Sequence, residues 1–428
     1  MCMDPEAITT TERAFAQQCR RWPDCAMFPG PDNEKTNNEE AAAMSLENEN
    51  RRHVLKAGLG VGALSLGASL FPWRALAQQQ EEQLVPFTDV PSGFAPGPRR
   101  PGANHIIDTR HIREFHHDDF YVVQHYGEPE LDPENYRLRI TGLVDRPMDL
   151  SLDDLMARGV IEQDVGFECG GNGNRMFHGL VGNARWSGVR LSELLEDAGV
   201  QAEGREVVFF GADTGMEEIR GREVEKAFAR SMSIDDAMAE PNMLAWAMNG
   251  EPLPVHHGRP LRLIAPGWYG VANVKWLTQI HVQDTRYMGR FMGRDYVTLK
   301  REMVGDEERW VENSVARMNL KSVIVRVTEQ AGMHRISGFV VNDGTPLERV
   351  EVRIDDGEWR EATIDPQSTD YSWKLFHLDW SGATPGEHRI VSRVTDVNGH
   401  TQARAEDLPE RVSYWEEFGQ FPRTIRIG

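Results

Sequence analysis

Cysteine is nearly absent from this chain of 428 residues, and the few it has are unevenly placed. Three of the four, Cys2, Cys19 and Cys25, lie ahead of a probable export signal. If that signal is removed, Cys169 is the only thiol left, so no internal disulfide can form. No Cys-x-x-Cys-His follows the signal, which excludes a covalently attached c-type haem. No Cys-x-x-Cys or His-x-x-x-His pair supports a zinc site. Positive charge is outnumbered, with 47 Lys and Arg against 67 Asp and Glu. The formal net charge is −20, which argues against nucleic acid as a partner and leaves a basic protein as a possible one. Long apolar runs are missing too. The glycine-rich run from Ala57 to Phe71 is too short and too poorly hydrophobic for a membrane span.

What surrounds that run is informative. Arg51-Arg52-His53-Val54-Leu55-Lys56 precedes it and Ala75-Leu76-Ala77 follows, a small-x-small cleavage pattern. The order is that of a secretory signal, and the paired arginines resemble a twin-arginine signal, with Val54 where phenylalanine is commonest. Residues 1–77 are therefore read as an extension plus a signal peptide. Met44 is a second possible start. Cleavage leaves a periplasmic protein from about Gln78, with no stable membrane span. Residues 78–103, rich in Gln, Pro and Gly, read as an extended arm.

The rest mixes strands and helices without regular alternation, which predicts an α+β class. Strand-like runs include 120–125, 136–140, 206–210, 261–265 and 276–282. Ser151 reads as a helix N-cap, and the run from Trp186 leads into a second helix. From Asn319 short β-rich runs recur, with the hairpin dipeptides Asp356-Gly357 and Asn398-Gly399. That pattern suits an immunoglobulin-like sandwich over 319–428, after a first domain at 104–318.

Two stretches carry chemistry. The first is Val165-Gly-Phe-Glu-Cys-Gly-Gly-Asn-Gly-Asn-Arg175. Cys169 is either a buried small apolar residue or a thiolate acting as a nucleophile or soft-metal ligand. Glycines admit close approach of backbone N–H groups, while Asn172, Asn174 and Arg175 supply donors and charge. Such surroundings lower a thiol pKa. The second stretch runs from Pro254 to Trp276. His257, Arg262 and Lys275 are three anion contacts in one segment, suited to a phosphate-bearing ligand. Each alone also reads as a surface charge or a satisfied core histidine.

Cys169 in its Glu-Cys-Gly-Gly-Asn-Gly setting, Asn183-Ala-Arg-Trp-Ser-Gly-Val-Arg-Leu191, His257-Gly-Arg-Pro-Leu-Arg262 and Asn273-Val-Lys-Trp-Leu277 together resemble the sulfite oxidase family of molybdenum enzymes. The resemblance covers roughly residues 104–428. It implies a molybdopterin-binding domain followed by an immunoglobulin-like dimerisation domain, and hence a homodimer. It implies a molybdenum–molybdopterin cofactor with Cys169 as the thiolate ligand of the metal. His257 and Arg262 would bind the phosphate side of the pterin, and Asn273, Val274 and Lys275 would add backbone and ammonium contacts. His125 and Asp213 match cofactor-contacting residues, and Tyr296 the active-site tyrosine beside the metal.

The implied reaction is oxidation of a small sulfur compound, sulfite first, with electrons passed to a separate c-type cytochrome because the chain carries no haem of its own. Two departures bear on the substrate. Val123 stands where the family places an arginine, and Tyr414-Trp-Glu-Glu-Phe-Gly419 offers glutamates where the family has a pocket arginine. Arg175 is also displaced by one position. Losing one buried charge-assisted contact weakens anion binding by about 1.5–3 kcal/mol. The alternatives are therefore sulfane sulfur oxidation, sulfoxide reduction, or a non-catalytic adaptor with an empty cofactor pocket.

Overall fold

The structure, a computed structural model, describes residues 82–428 apart from 92, 95, 117 and 118. The expectations for residues 1–77, and for the first four residues of the arm, lie outside the described residues. The described part packs as one compact unit. Among the described residues no helix is long and apolar enough to cross a membrane.

Strands dominate more than the α+β class implies. Among the described residues the α-helices are Leu152–Met156, Leu191–Ala198, Ile234–Ala237 and Arg290–Gly293, and the longest has 8 residues. Local chemistry sets their ends. Ser151 accepts from the Asp154 N–H while Asp154 reaches back to the Ser151 N–H, closing a capping box. The run from Trp186 stays extended to Arg190, turns helical at Leu191, and stops at Gly199 in the left-handed region.

Two sheets carry the site. In one, Leu277–Gln283 lies between Leu138–Gly142, to which it is parallel, and Glu206–Ile219, to which it is antiparallel. Arg222–Ser233 pairs beyond Glu206–Ile219. That pairing breaks register between Phe210 and Thr214. A bulge of this kind re-aims side chains, and here it turns Asp213 into the cleft described below. The other sheet runs Arg262–Ile264, Met243–Met248, Val181–Arg190, Ile161–Glu168, all antiparallel. The edge strand Ile161–Glu168 delivers Cys169 at its C-terminal end.

After Asn319 the expected β-rich runs form two antiparallel sheets, one built around Lys321–Gln330, Met333–Val341 and Lys374–Trp380, the other around Leu347–Ile354, Gly386–Asp396 and Arg423–Ile427. Ile324, Val327, Ile336 and Phe376 meet Val350, Val352, Ile390 and Ile425 in their shared core. Residues 120–125 do not form the expected strand. Only Val122 bridges, to His105. The segment is drawn inward instead, as Phe120 packs on Phe167, Trp186 and His257.

Candidate active site

Cys169 sits where a strand gives way to a tight loop. Its N–H donates to Leu180 O at 2.9 Å, and its carbonyl accepts from the Asn172 N–H at 2.9 Å. The Asn172 amide spends its donors on Glu168 Oε2 and His178 O, and its oxygen accepts from the Leu180 N–H. Asn172 thus holds the loop and does not serve the sulfur. Asn174 and Arg175 are exposed, and neither lines the cleft. This corrects the expectation of an activated thiol. Burial pushes the Cys169 thiol up to about 11, with Glu168 adding to the rise. The Gly171 N–H, the Tyr296 hydroxyl and Lys321 oppose it without prevailing. The sulfur therefore needs a cation to stay ionised, and a bound metal ion supplies one. At Gly171 a Cβ would lie 3.1 Å from the Trp415 ring, so the glycine lets Trp415 close over the loop.

A cleft of about 590 Å³, open solvent at its mouth included, opens beside Cys169. His125, Cys169, Asp213, His257, Arg262, Asn273, Lys275 and Tyr296 all line it. These residues come from segments as far apart in sequence as 125 and 296, and of the predicted positions only Val274 is absent from the lining. Val274 is buried, and its backbone is taken up by Ala272 O and the Leu263 N–H.

The Cys169 end is aromatic. Tyr296 is buried, and its hydroxyl lies 2.9 Å from His125 Nε2. Its ring stacks on Trp415, centroids 4.3 Å apart at 24°. Burial holds the phenol well above its usual pKa, so it stays a neutral donor. The His125 ring lies against Phe291 and Phe228 with part of its surface toward the opening. Desolvation by those walls, then Lys275 and Arg290, lower its pKa below the ordinary histidine value, so it is neutral, and as the Nε2–H tautomer it donates to the Tyr296 oxygen and leaves the phenol proton free.

The other end is cationic. Arg262 donates to His257 O and Asn273 O, each at 3.0 Å, and lies over the Trp186 ring at 4.9 Å. It clamps two loop carbonyls, and its Nε has no partner. The Asn273 amide likewise braces the loop, donating to Tyr269 O and accepting from the Ala265 N–H. Lys275 Nζ donates to His256 O at 2.9 Å. Desolvation, then Arg262, lowers it to about 7. Asp213 Oδ1 is buried without a partner, and burial raises its carboxyl to about 6.

These features fit a molybdopterin. Arg262 Nε and Asp213 Oδ1 are buried polar atoms left unsatisfied beside the cleft, which a polar heterocycle can pair. Arg262 and Lys275 suit its phosphate. Among the described residues no three His, Cys, Asp or Glu side chains are grouped to hold a metal. A metal at Cys169 thus has to bring ligands of its own, as a pterin dithiolene does.

Several residues were missed. Tyr121 lines the cleft within the run read as a strand. Arg230, fully buried, donates to the carbonyls of Phe291 and Val315 on either side of Tyr296, and nothing in its local sequence singles it out. Trp415 lay in the C-terminal segment noticed only for its glutamates. There Glu416 accepts from Thr298 and sits 3.5 Å from the Asn319 amide. Lys321 opens an apolar strand, which was the one available signal for its buried role.

Residues 125–291 match the oxidoreductase molybdopterin binding domain. The chain is 30% identical over 297 residues to the mitochondrial sulfite oxidase of Drosophila melanogaster, covering 62% of this chain and 50% of that protein. It is 28% identical over 342 residues to the sulfite oxidase of Arabidopsis thaliana, covering 70% and 83%. The chain thus spans about half the length of the animal relatives it matches. Its fold is that of the sulfane dehydrogenase SoxCD from Paracoccus pantotrophus, with a TM-score of 0.66 at 24% identity over 92% of this chain and 100% of that one. With a matching domain and these relatives, the chain belongs to the sulfite oxidase family of molybdopterin oxidoreductases, whose cofactor is molybdenum–molybdopterin.

Proposed function

We propose that the protein oxidises a small sulfur compound, sulfite first, and passes the electrons to a separate c-type cytochrome. The observation that carries this reading is the convergence of Cys169, Tyr296 and His125 at one end of the cleft with His257, Arg262 and Lys275 at the other. When bound, the molybdenum centre supplies two-electron oxygen-atom transfer. The chain's residues do the rest. Cys169 fixes the metal by its sulfur. Lys275 and the loop clamped by Arg262 orient the pterin and balance its phosphate. Tyr296 presents a neutral O–H donor to the substrate oxygens, and His125 holds that hydroxyl in place. Trp415 covers Tyr296 and the Gly170-Gly171 backbone, which keeps water off that side.

Further parts of the reading rest on sequence. The paired arginines and the Ala75-Leu76-Ala77 pattern support export to the periplasm by the twin-arginine route. The two-sheet region after Asn319 supports an immunoglobulin-like domain, and family resemblance supports a dimer.

A second reading keeps the cofactor and changes the substrate, to sulfane sulfur or a sulfoxide. Val123 lines the cleft where the family carries an arginine, and the segment over Tyr296 brings Trp415. Such a wall favours a less charged substrate than a sulfite dianion.

The test is molybdenum and pterin content of the exported protein and of Cys169→Ser, with ferricyanide reduction driven by sulfite. Molybdenum near one per chain, with turnover lost in the variant, supports the sulfite reading. Molybdenum without sulfite turnover moves the assignment to the second reading. Folded protein without molybdenum leaves only the adaptor.

A further inference from the structure

The segment following Tyr296 leaves the body of the protein as a two-stranded ribbon, Val297–Val304 paired with Glu307–Ser314. Among the described residues its third member is a short stretch at Arg411, where the Arg301 N–H donates to Glu410 O and the Val412 N–H to Leu299 O. Isolated two-stranded ribbons are marginal in water. The register decides what the ribbon shows. Leu299, Arg301 and Met303 share a face with Glu312, Trp310 and Glu308, and the bridge adds Glu410 and Val412 to it. Arg301 lying over the Trp310 ring at 5.0 Å and 3.1 Å from Glu410 agrees with that placement.

This face is open and carries three large exposed apolar side chains. Met303 is 65% exposed, Val412 56% and Trp310 43%. Large side chains grouped on one exposed face mark an interaction surface more often than singly scattered ones. Three carboxylates, of Glu308, Glu312 and Glu410, stand on the same face against the one guanidinium of Arg301. Exposed apolar side chains interspersed with a net negative set of charges suit a basic protein, and the chain's formal charge of −20 adds long-range attraction.

The roots of the ribbon say which basic protein. Tyr296 immediately precedes Val297, and Val315, which follows Ser314, donates its N–H to Tyr296 O at 2.9 Å. A Cβ on Gly170 would lie 3.0 Å from Val315, so the root rests on the Cys169 loop. The third member continues from Val412 into Trp415, stacked on Tyr296. A redox protein seated here is joined to the Cys169–Tyr296 end of the cleft through two short segments of chain.

We propose that the open face of this ribbon, centred on Met303, Trp310 and Val412, is the docking surface for a small basic electron-carrier protein. The proposal rests on the reading above that electrons leave to a separate carrier, and names where. The test uses full-length holoprotein, with a basic mitochondrial-type cytochrome c, oxidised, as probe. Kd is measured by titration calorimetry at low and physiological salt, beside ferricyanide turnover. Met303→Ser with Trp310→Ser, and separately Glu312→Lys, are each expected to raise Kd about tenfold. Glu312→Lys should also flatten the salt dependence. Ferricyanide turnover should stay within about twofold, since a small acceptor needs no docking face. Unchanged Kd in both variants overturns the proposal. So does conversion of a dimer to monomers by the double variant, for the face then belongs to a second copy. Sulfite turnover absent from the unmutated holoprotein counts against the functional reading instead, and the Kd comparison still decides the docking face.

Discussion

Lys321, the first residue of its strand, donates to Glu168 Oε2 at 2.8 Å and to Asn172 O at 2.9 Å. Glu168 is the residue before Cys169, and the two charged side chains are 0% and 1% exposed. The sheet region after Asn319 therefore reaches back to fix both ends of the loop that carries Cys169. Burial raises the Glu168 pKa, and Lys321 and Asn172 work against that rise.

Removing Lys321 strands a buried carboxylate. Lys321→Met should destabilise the protein by about 3–5 kcal/mol, the usual cost of breaking a buried pair from one side. Denaturant unfolding of the cofactor-free and loaded forms measures this. Glu168→Gln in the same chain should recover part of the loss. Strict additivity of the two single changes would show that the pair is not coupled.

Tyr296 and His125 are 2.9 Å apart although 171 positions separate them. Tyr296→Phe keeps the stack on Trp415, so molybdenum content and thermal stability should hold. Turnover should fall about a hundredfold, the lower range for loss of a donor used in the transition state. A similar fall in molybdenum content would move Tyr296 from chemistry to cofactor retention.

Much of this site was legible in the sequence, for a physical reason. Cys169, His257, Arg262 and Lys275 lie in short segments where glycine, proline and polar residues interrupt apolar runs, and such interruptions stand out along a chain. What was hidden depends on contacts between distant segments. Lys321 looks like an edge charge until 153 residues of separation are closed against Glu168. Trp415 looks like a surface aromatic until it stacks on Tyr296. The run 120–125 alternates like a strand, yet Phe120 finds better packing on Phe167 and Trp186 than a neighbouring strand offers. The reversed pKa of Cys169 has the same origin. Sequence shows which donors are near along the chain, and not that Asn172 is already engaged and Arg175 faces outward.

Gly182 tests how tightly the cleft wall is packed. A Cβ there would lie 2.4 Å from the Phe120 ring, which also meets His257. Gly182→Ala should cost about 1–3 kcal/mol through forced repacking. It should also shift Phe120 and weaken pterin retention, read as cofactor loss on dialysis. A stable variant with unaltered retention would show that Phe120 can move without disturbing His257.

The cationic end of the cleft should be sensitive to pH before the cofactor arrives. Lys275 is lowered to about 7 by desolvation and then by Arg262, while Asp213 is raised to about 6 by burial. Anion binding favours the charged lysine and the neutral carboxyl. Lys275 is charged below about 7 and loses its proton above it, and Asp213 gains a negative charge as pH rises through about 6. Both changes act in one direction, so affinity for an anion falls as pH rises from 6 to 8. Inorganic sulfate is the suitable probe for protein made without cofactor, because it does not titrate in that window. Calorimetry should show about tenfold weaker binding at pH 8 than at pH 6. Lys275→Met should bind sulfate weakly and lose the dependence above pH 7, leaving only the part set by Asp213. A flat profile in the unmutated protein would mean that Lys275 keeps its charge throughout and that Asp213 does not change its charge between pH 6 and 8.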